Sequence, residues 1–403
     1  MSAPGVDQGS AVLPAGAAPT PAQTGGAGRS RWNVLARTWE LLAVPVGAII
    51  LAMVVGSIVI LASELIVGKP LDFALPINAY VALFQGAFGS FNAWVSTFMS
   101  AAPLMLAGLA VGVGLKAGLF NIGAQGQFLI GALCAAGVGG MVSGMSPILA
   151  IPLAVLAGAL GGLAYGFIPG ALKAYTGAHE VVTTIMLNYI AIFILAYLVS
   201  GPLRAEGATF ARTADVGNAM FPILLGRNGH LGILMAIAAI PACWWLLWRV
   251  VLGFEIRTVG ANPEAARYAG IRARRIIVLT MALCGMLAGL AGTGEVLGVV
   301  GYLPAAFATT VGFDAIAVAL LGRANPFGIF FAAILFGGMR AGAGAMQVQA
   351  GVPSELVGVL QGVILLFLAA DVIVRKVFRI RRARVGLEEL GTVTRSYGEQ
   401  TAR

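Results

Sequence analysis

Charge is what this chain has least of. Only 10% of its 403 residues are Asp, Glu, Lys or Arg, against about 25% in ordinary soluble domains. That deficit excludes a soluble globular protein, and the 59% apolar content points to many membrane-crossing helices. Lysine is confined to Lys69, Lys116, Lys173 and Lys376, none of them in a glycine-rich phosphate loop. With no GxxxxGK[ST], GxSxG or HExxH motif, the chain shows no catalytic set and no means of hydrolysing ATP by itself. The three cysteines, Cys134, Cys243 and Cys284, sit far apart in apolar stretches, which excludes a CxxC site and argues against a structural disulfide. The two histidines, His179 and His230, lack metal-ligand spacing; no metal or cofactor is expected. His179 beside Glu180 reads as a solvated pair at a segment edge. The net charge of +9 comes without aromatic interleaving, so it reads as loops facing lipid headgroups, and no nucleic-acid partner is expected.

What the chain does have is long apolar runs and 56 glycines. Residues 1–40 are an Ala/Gly/Pro/Ser-rich stretch read as a disordered cytoplasmic tail. Residues 41–375 form the membrane domain, and 376–403 a basic cytoplasmic tail. Spans are expected near 43–66, 98–115, 126–144, 147–172, 181–201, 229–250, 276–300, 304–321, 326–347 and 354–374. The weaker stretch 73–98 reads as re-entrant or interfacial. The fold class is therefore all-α, a polytopic bundle of about ten helices. Two structural repeats with short or broken helices are suggested by a loose likeness between FNIGAQGQFLIGALCAAG and LGRANPFGIFFAAILFGG. With both termini cytoplasmic, only Lys69, Arg204, Arg212, Arg227 and Arg340 of the 25 Lys and Arg fall outside, as the positive-inside rule requires. Eight or nine spans are also compatible with the pattern. Gly158, Gly162, Gly166 and Gly170, with Gly285 and Gly289 later, leave bare helix faces suited to close packing.

One charged island interrupts this pattern. Gly253–Arg275, GFEIRTVGANPEAARYAGIRARR, holds five Arg and two Glu between two apolar runs, so it lies in water. Asn262 is placed to cap a short helix, Pro263 suits its first position, Glu264 favours its positive end, and Gly270 can end it. Its small face, Ala261, Ala265 and Ala269 with Tyr268 and Ile271 nearby, needs something to pack on.

Polar residues inside apolar runs are the other candidates. Phe120, Asn121, Gln125 and Gln127 lie in FNIGAQGQ, which is either a substrate-path element or a polar turn at the membrane edge. Asp314 is either a carboxylate facing the path or an interfacial residue. Glu295 reads as interfacial, hydrogen-bonded to Thr293, Thr309 or Thr310. Asn188 and Tyr189 read as a helix–helix pair.

Three ordered stretches, GLFNIGAQGQFLIGAL from Gly118, HEVVTTIMLNYIA from His179 and VGANPEAARYAGI from Val259, resemble the permease subunits of bacterial ABC importers for nucleosides. Those permeases are a branch of the simple-sugar and branched-chain amino acid permease family. The resemblance runs from about residue 40 to 375. It implies that the island is a coupling helix, with Gly260, Asn262, Pro263, Glu264, Ala265, Ala266, Ala269 and Gly270 docking on a separate ABC ATPase subunit. It implies too that FNIGAQGQ lines the path; Asn188 and Asp314 are candidate path residues with it, and residue type alone offers Phe120 or Phe128 for stacking on a base. The implied partners are the ATPase, a second related permease, an extracytoplasmic substrate-binding lipoprotein and the lipid bilayer of the bacterial cytoplasmic membrane. The family commonly has Glu where this chain has Gln125. A simple-sugar importer and an ion-coupled secondary transporter are the alternatives to be separated.

Overall fold

The computed structural model of the protein describes residues 28–68, 70–307 and 309–377; most of the two tails, and Lys69, lie outside the described residues. The chain divides into two units, Met1–Ala43 and Val44–Arg403. Of the first, only the beginning of α1 (Gly28–Val67) is described. Residues 28–40, assigned above to the tail, are thus helical, in keeping with their Arg, Leu, Ala and Glu content.

The second unit continues with α2 (Leu75–Phe88), α3 (Phe91–Lys116), α4 (Ala124–Met141), α5 (Pro147–Ala171) and α6 (Glu180–Ser200). After a long loop come α7 (Leu231–Arg249), α8 (Val251–Ala261), α9 (Pro263–Tyr268) and α10 (Ala273–Glu295). The chain closes with α11 (Val311–Leu321), α12 (Pro326–Ala350), α13 (Leu356–Ala369) and α14 (Asp371–Val377). Among the described residues, eight helices are long and apolar enough to cross a membrane. The expected spans 304–321 and 354–374 are shorter in the structure. Their helices, Val311–Leu321 and Leu356–Ala369, have 11 and 14 residues, about 16 and 21 Å against a ~30 Å hydrocarbon core.

The reason for the first shortening is visible in the hydrogen bonds. Residues 303–305 are committed to the loop after α6: Thr213 N–H donates to Leu303 O, Leu303 N–H to Thr213 Oγ1, and Ala305 N–H to Ala211 O, at 2.9, 3.0 and 2.9 Å. Backbone spent on that pairing cannot be helical. The loop itself is ordered rather than a plain polar link. It carries a two-stranded hairpin, β1 (Ile223–Leu225) with β2 (Gly229–His230), and Arg212 lies over the Tyr302 ring, 4.6 Å from its centroid. The interfacial stretch 73–98 also resolves into parts. α2 ends at Phe88, Ser90 caps α3 by accepting from Ala93 N–H at 3.1 Å, and α3 starts at Phe91, earlier than expected.

The core of the bundle is α5 against α10. Their glycines meet in antiparallel order: a Cβ at Gly162 would lie 2.7 Å from Gly289 Cα, one at Gly166 2.8 Å from Gly285 Cα, and one at Gly170 2.8 Å from Met281 Cβ. Four-residue spacing puts these positions on one face, and the missing side chains let two backbones touch over more than three turns. α4 joins the same seam, since a Cβ at Gly131 would lie 2.7 Å from Gly289 C. Both α5 and α10 end in a π-helical turn, Leu172–Thr176 and Val296–Val300, closed by glycines at positive φ, Gly177 and Gly301 (72° and 76°).

Candidate functional site

The island folds as its local chemistry dictates. Asn262 Oδ1 accepts from Glu264 N–H and Ala265 N–H at 2.9 and 3.1 Å, and Pro263 opens α9. Gly270 takes φ +79° just beyond the helix. Glu264 and Arg267 pair across one turn at 3.1 Å, both exposed. Ala261, Ala265 and Ala269 are exposed, and Tyr268 is 94% exposed. Ala266 is the exception to the expected docking set. It is fully buried and its carbonyl accepts from Ile271 N–H at 2.9 Å, so it supports the helix from beneath. α8, which delivers α9, folds back on α7. Gly253 sits against the Leu247 backbone, and Arg257 Nε donates to Leu247 O at 3.0 Å.

At its far end α8 touches the turn between α3 and α4. A Cβ at Gly260 would lie 2.7 Å from Ala117 C and 2.9 Å from Ala117 Cα. Gly118 faces it from the other side at φ +70°, its own Cβ position 3.3 Å from Gly260 O. This backbone-on-backbone seat joins the island to FNIGAQGQ.

From that seat the chain turns back into the bundle. Asn121 and Gln127 exchange amide hydrogen bonds at 2.9 and 3.3 Å. Asn188 Nδ2 donates to Ile122 O at 3.0 Å, and Gly126 N–H donates to Asn188 Oδ1 at 2.8 Å. Asn188 is eight residues into α6, so the start of α4 lies about 12 Å along that helix. The edge-of-membrane reading of FNIGAQGQ therefore does not describe it; the segment is buried inside the bundle. Gln125 makes the longest link. Its Nε2 donates to Thr309 O at 2.9 Å and its Oε1 accepts from Gly312 N–H at 2.8 Å. The second bond satisfies one of the unpaired donors of the α11 N-terminus. The N-termini of α4 and of the short α11 thus meet inside the bundle, a geometry tolerated where backbone is buried in protein or lines a cavity.

All four amides, Asn121, Gln125, Gln127 and Asn188, are buried and satisfied by protein partners. Phe120 is half-buried, whereas Phe128 is wholly buried, its ring stacked on Phe307 with centroids 6.3 Å apart. Asp314, one turn into α11, lies close by but has a different partner. It is ion-paired with Arg340 of α12 and accepts from Thr310 Oγ1 at 2.7 Å. The threonines expected beside Glu295 are otherwise engaged: Thr293 donates to Gly289 O and Thr309 Oγ1 accepts from Val311 N–H. Tyr189 is exposed and Asn188 pairs without it. Glu180 is also not solvated; it is 1% exposed and paired with Lys173 at 2.8 Å.

Sequence reasoning gave no site role to Arg340, Gly118 and Gly312, and placed Thr309 beside Glu295 instead of Gln125. Arg340 carried a signal, a lone cation in an apolar helix that must find a carboxylate. The other three become visible only through partners far away in the chain.

Eight membrane-length helices, two helix N-termini meeting inside the bundle, and a short capped helix define a polytopic membrane transport subunit. The sequence comparisons agree and go further. The model of the branched-chain amino acid transport system permease component family matches residues 93–369, and the chain belongs to that family. The guanosine ABC transporter permease protein NupP of Bacillus subtilis (strain 168) is 39% identical, over 83% of this chain and 94% of its own length. The glucose ABC transporter permease protein TsgB13 of Haloferax volcanii is 34% identical, over 87% and 91%. The nucleoside ABC transporter permease protein NupB of Lactococcus lactis subsp. cremoris is 35% identical, over 82% and 91%. The chain is thus a multi-pass permease, a transport component of an ABC system rather than an enzyme.

Proposed function

We propose that this permease imports nucleosides, with the island as the cytoplasmic coupling element for a separate ABC ATPase. The seat of Gly260 on Ala117 carries the proposal. Through it, force on the exposed Ala265–Tyr268–Ala269 surface reaches the turn that holds Asn121, Gln125 and Gln127. From there Gln125 passes displacement to α11 and Asn188 passes it to α6. ATP-driven closure of an ATPase pair would move the island, shift the meeting point of α4 and α11, and convert the path between inward-open and outward-open forms. A substrate drives such a cycle only by interacting differently with the two forms. Because the four amides are saturated here, they reach a ribose hydroxyl only when the α4–α11 contact opens; Phe120, half-buried beside them, is the aromatic ring available to a base.

Both termini are assigned to the cytoplasm on the Lys/Arg distribution. The partners follow from the family: the ATPase, an extracytoplasmic substrate-binding lipoprotein and a second related permease. NupQ of Bacillus subtilis, a second guanosine permease by name, is 26% identical over 60% of this chain, which supports a paired arrangement. Nucleosides are favoured because NupP and NupB are named for guanosine and nucleosides; TsgB13, named for glucose, keeps simple sugars as the second reading.

The test is uptake into vesicles holding the chain with its co-purifying partners, with ATP inside and the binding protein outside. ATP-dependent entry of guanosine, without entry of glucose, is expected. Glucose entry alone would move the substrate to sugars. Entry driven by a proton gradient without ATP would refute the ATPase coupling altogether.

A further inference from the structure

A cavity outside the path carries a charge pattern of its own. It is an open cavity of about 660 Å³ at the foot of α10, lined by Tyr175, Arg267, Ile271, Arg272, Ala273, Arg274 and Arg275. Four of the seven lining residues are arginines and none is a carboxylate. Arg267 is paired with Glu264; Arg272, Arg274 and Arg275 are exposed and have no ion pair among the described residues. Three unpaired guanidiniums around one cavity repel each other, and an anion relieves that repulsion. The shape of the demand is specific. A guanidinium offers up to five donors in a fixed fork, matched to the oxygens of a phosphate.

The cavity's height in the fold indicates where the phosphate comes from. Arg274 and Arg275 are in the first turn of α10, which begins a membrane-length segment, Ala273–Val300. Tyr175, also in the lining, is one residue from the end of another such segment, Pro147–Thr176. Arg274, Arg275 and Tyr175 therefore sit at the ends of membrane-length segments, the depth at which lipid headgroups lie. Tyr175 is 69% exposed, as suits a ring at the membrane–water boundary. The island's small docking face, Ala265 in α9 and Ala269 just beyond its end, is not part of the cavity lining.

We propose that this cavity binds the phosphate headgroup of an anionic phospholipid, so that the foot of α10 and the island beside it are anchored to the membrane surface. The site holds on whichever side of the membrane the island lies, and it does not depend on the transported substrate.

The experiment uses the full chain in phosphatidylcholine vesicles containing a minor fraction of spin-labelled phosphatidylglycerol. The immobilised fraction of label is compared for the natural chain, the triple variant R272Q/R274Q/R275Q and the conservative R272K/R274K/R275K. Each basic residue near a membrane surface contributes roughly a five-fold preference for anionic lipid, so the Gln variant is expected to lose at least about ten-fold in relative affinity. The Lys variant is expected to keep most of it and to show that the loss is not misfolding. Equal immobilisation in all three chains would overturn the proposal. Displacement of the label by millimolar inorganic phosphate would keep a phosphate site but overturn its lipid source. Unchanged lipid binding together with loss of the co-purifying ATPase from the Gln variant would also overturn it, by assigning the arginines to the protein interface.

Discussion

Replacing Gln125 with leucine tests whether the meeting point of α4 and α11 is held as the structure implies. The glutamine is 3% exposed, and its two polar atoms satisfy Thr309 O and Gly312 N–H. Leucine has similar volume, so little cavity forms; the cost is a buried Gly312 N–H and a part-buried Thr309 O left without partners, at about 1–3 kcal/mol each. A total of about 3 kcal/mol is expected, and at roughly 2 °C per kcal/mol for a long chain this lowers the melting temperature by about 6 °C. The assay is thermal unfolding of the purified chain in one detergent, natural and variant side by side. Gln125→Glu supplies the internal check. Burial favours the neutral carboxylic acid, which accepts from Gly312 N–H and donates to Thr309 O, so its loss should be smaller. A leucine variant melting within about 1 °C of the natural chain would refute the reasoning, because an amide worth about 3 kcal/mol cannot be removed silently.

Other outcomes follow from the same packing. Gly162→Leu drives a side chain into Gly289, whose Cα would already be 2.7 Å from a Cβ; destabilisation of at least about 3 kcal/mol is expected, while Gly344→Leu, with open space at its Cβ, should melt normally. Glu264→Arg reverses the exposed charge next to the island's docking face and should abolish ATP-driven uptake while leaving the amount of chain in the membrane unchanged, as read by quantitative immunoblot. His230 caps α7 through Nδ1, which accepts from Gly232 N–H at 3.2 Å, and its buried Nε2 has no partner. Burial lowers its pKa below the ordinary 6.5, so the unfolded chain takes up the proton first. Its contribution to stability is present above about pH 6.5 and is lost as pH falls, by at most about 1.4 kcal/mol per pH unit. Melting curves at pH 7 and pH 5 should show a smaller drop for His230→Asn, which keeps a capping side chain.

The elements legible in the sequence are those whose causes are local. Asn262, Pro263 and Gly270 could be assigned roles in α9 because a cap, a first-turn proline and a left-handed glycine act within a few residues. The Gly158–Gly170 face was legible for the same reason, since its period lies within one helix. The partners of FNIGAQGQ were not. Gln125 bonds residues 184 and 187 positions away, and no periodicity announces such a pairing. The short α11 was hidden too, because 304–310 is apolar enough to join a span and is withheld from it by bonds to residues 211 and 213. Composition likewise made Glu180 look solvated. It could not reveal that Lys173, at the end of the neighbouring helix, closes over it.

The central claim is that motion of the island reaches the path through the seat of Gly260 on Ala117, and Gly260→Ala tests it most directly. The added Cβ would overlap Lys116 O and approach Ala117 C to 2.7 Å, where ordinary contact begins at 3.4 Å, so α8 must lift from the turn by more than about 0.7 Å, at a cost of about 1–3 kcal/mol. In vesicles carrying the assembled transporter, ATP hydrolysis and guanosine uptake are measured together, with Gly144→Ala, whose Cβ meets nothing, as the control. The expected result is hydrolysis that continues while uptake per ATP falls by about ten-fold, roughly 1.4 kcal/mol of lost coupling. Uptake per ATP equal to that of the natural chain, in a Gly260→Ala protein that is folded and assembled, would contradict the account.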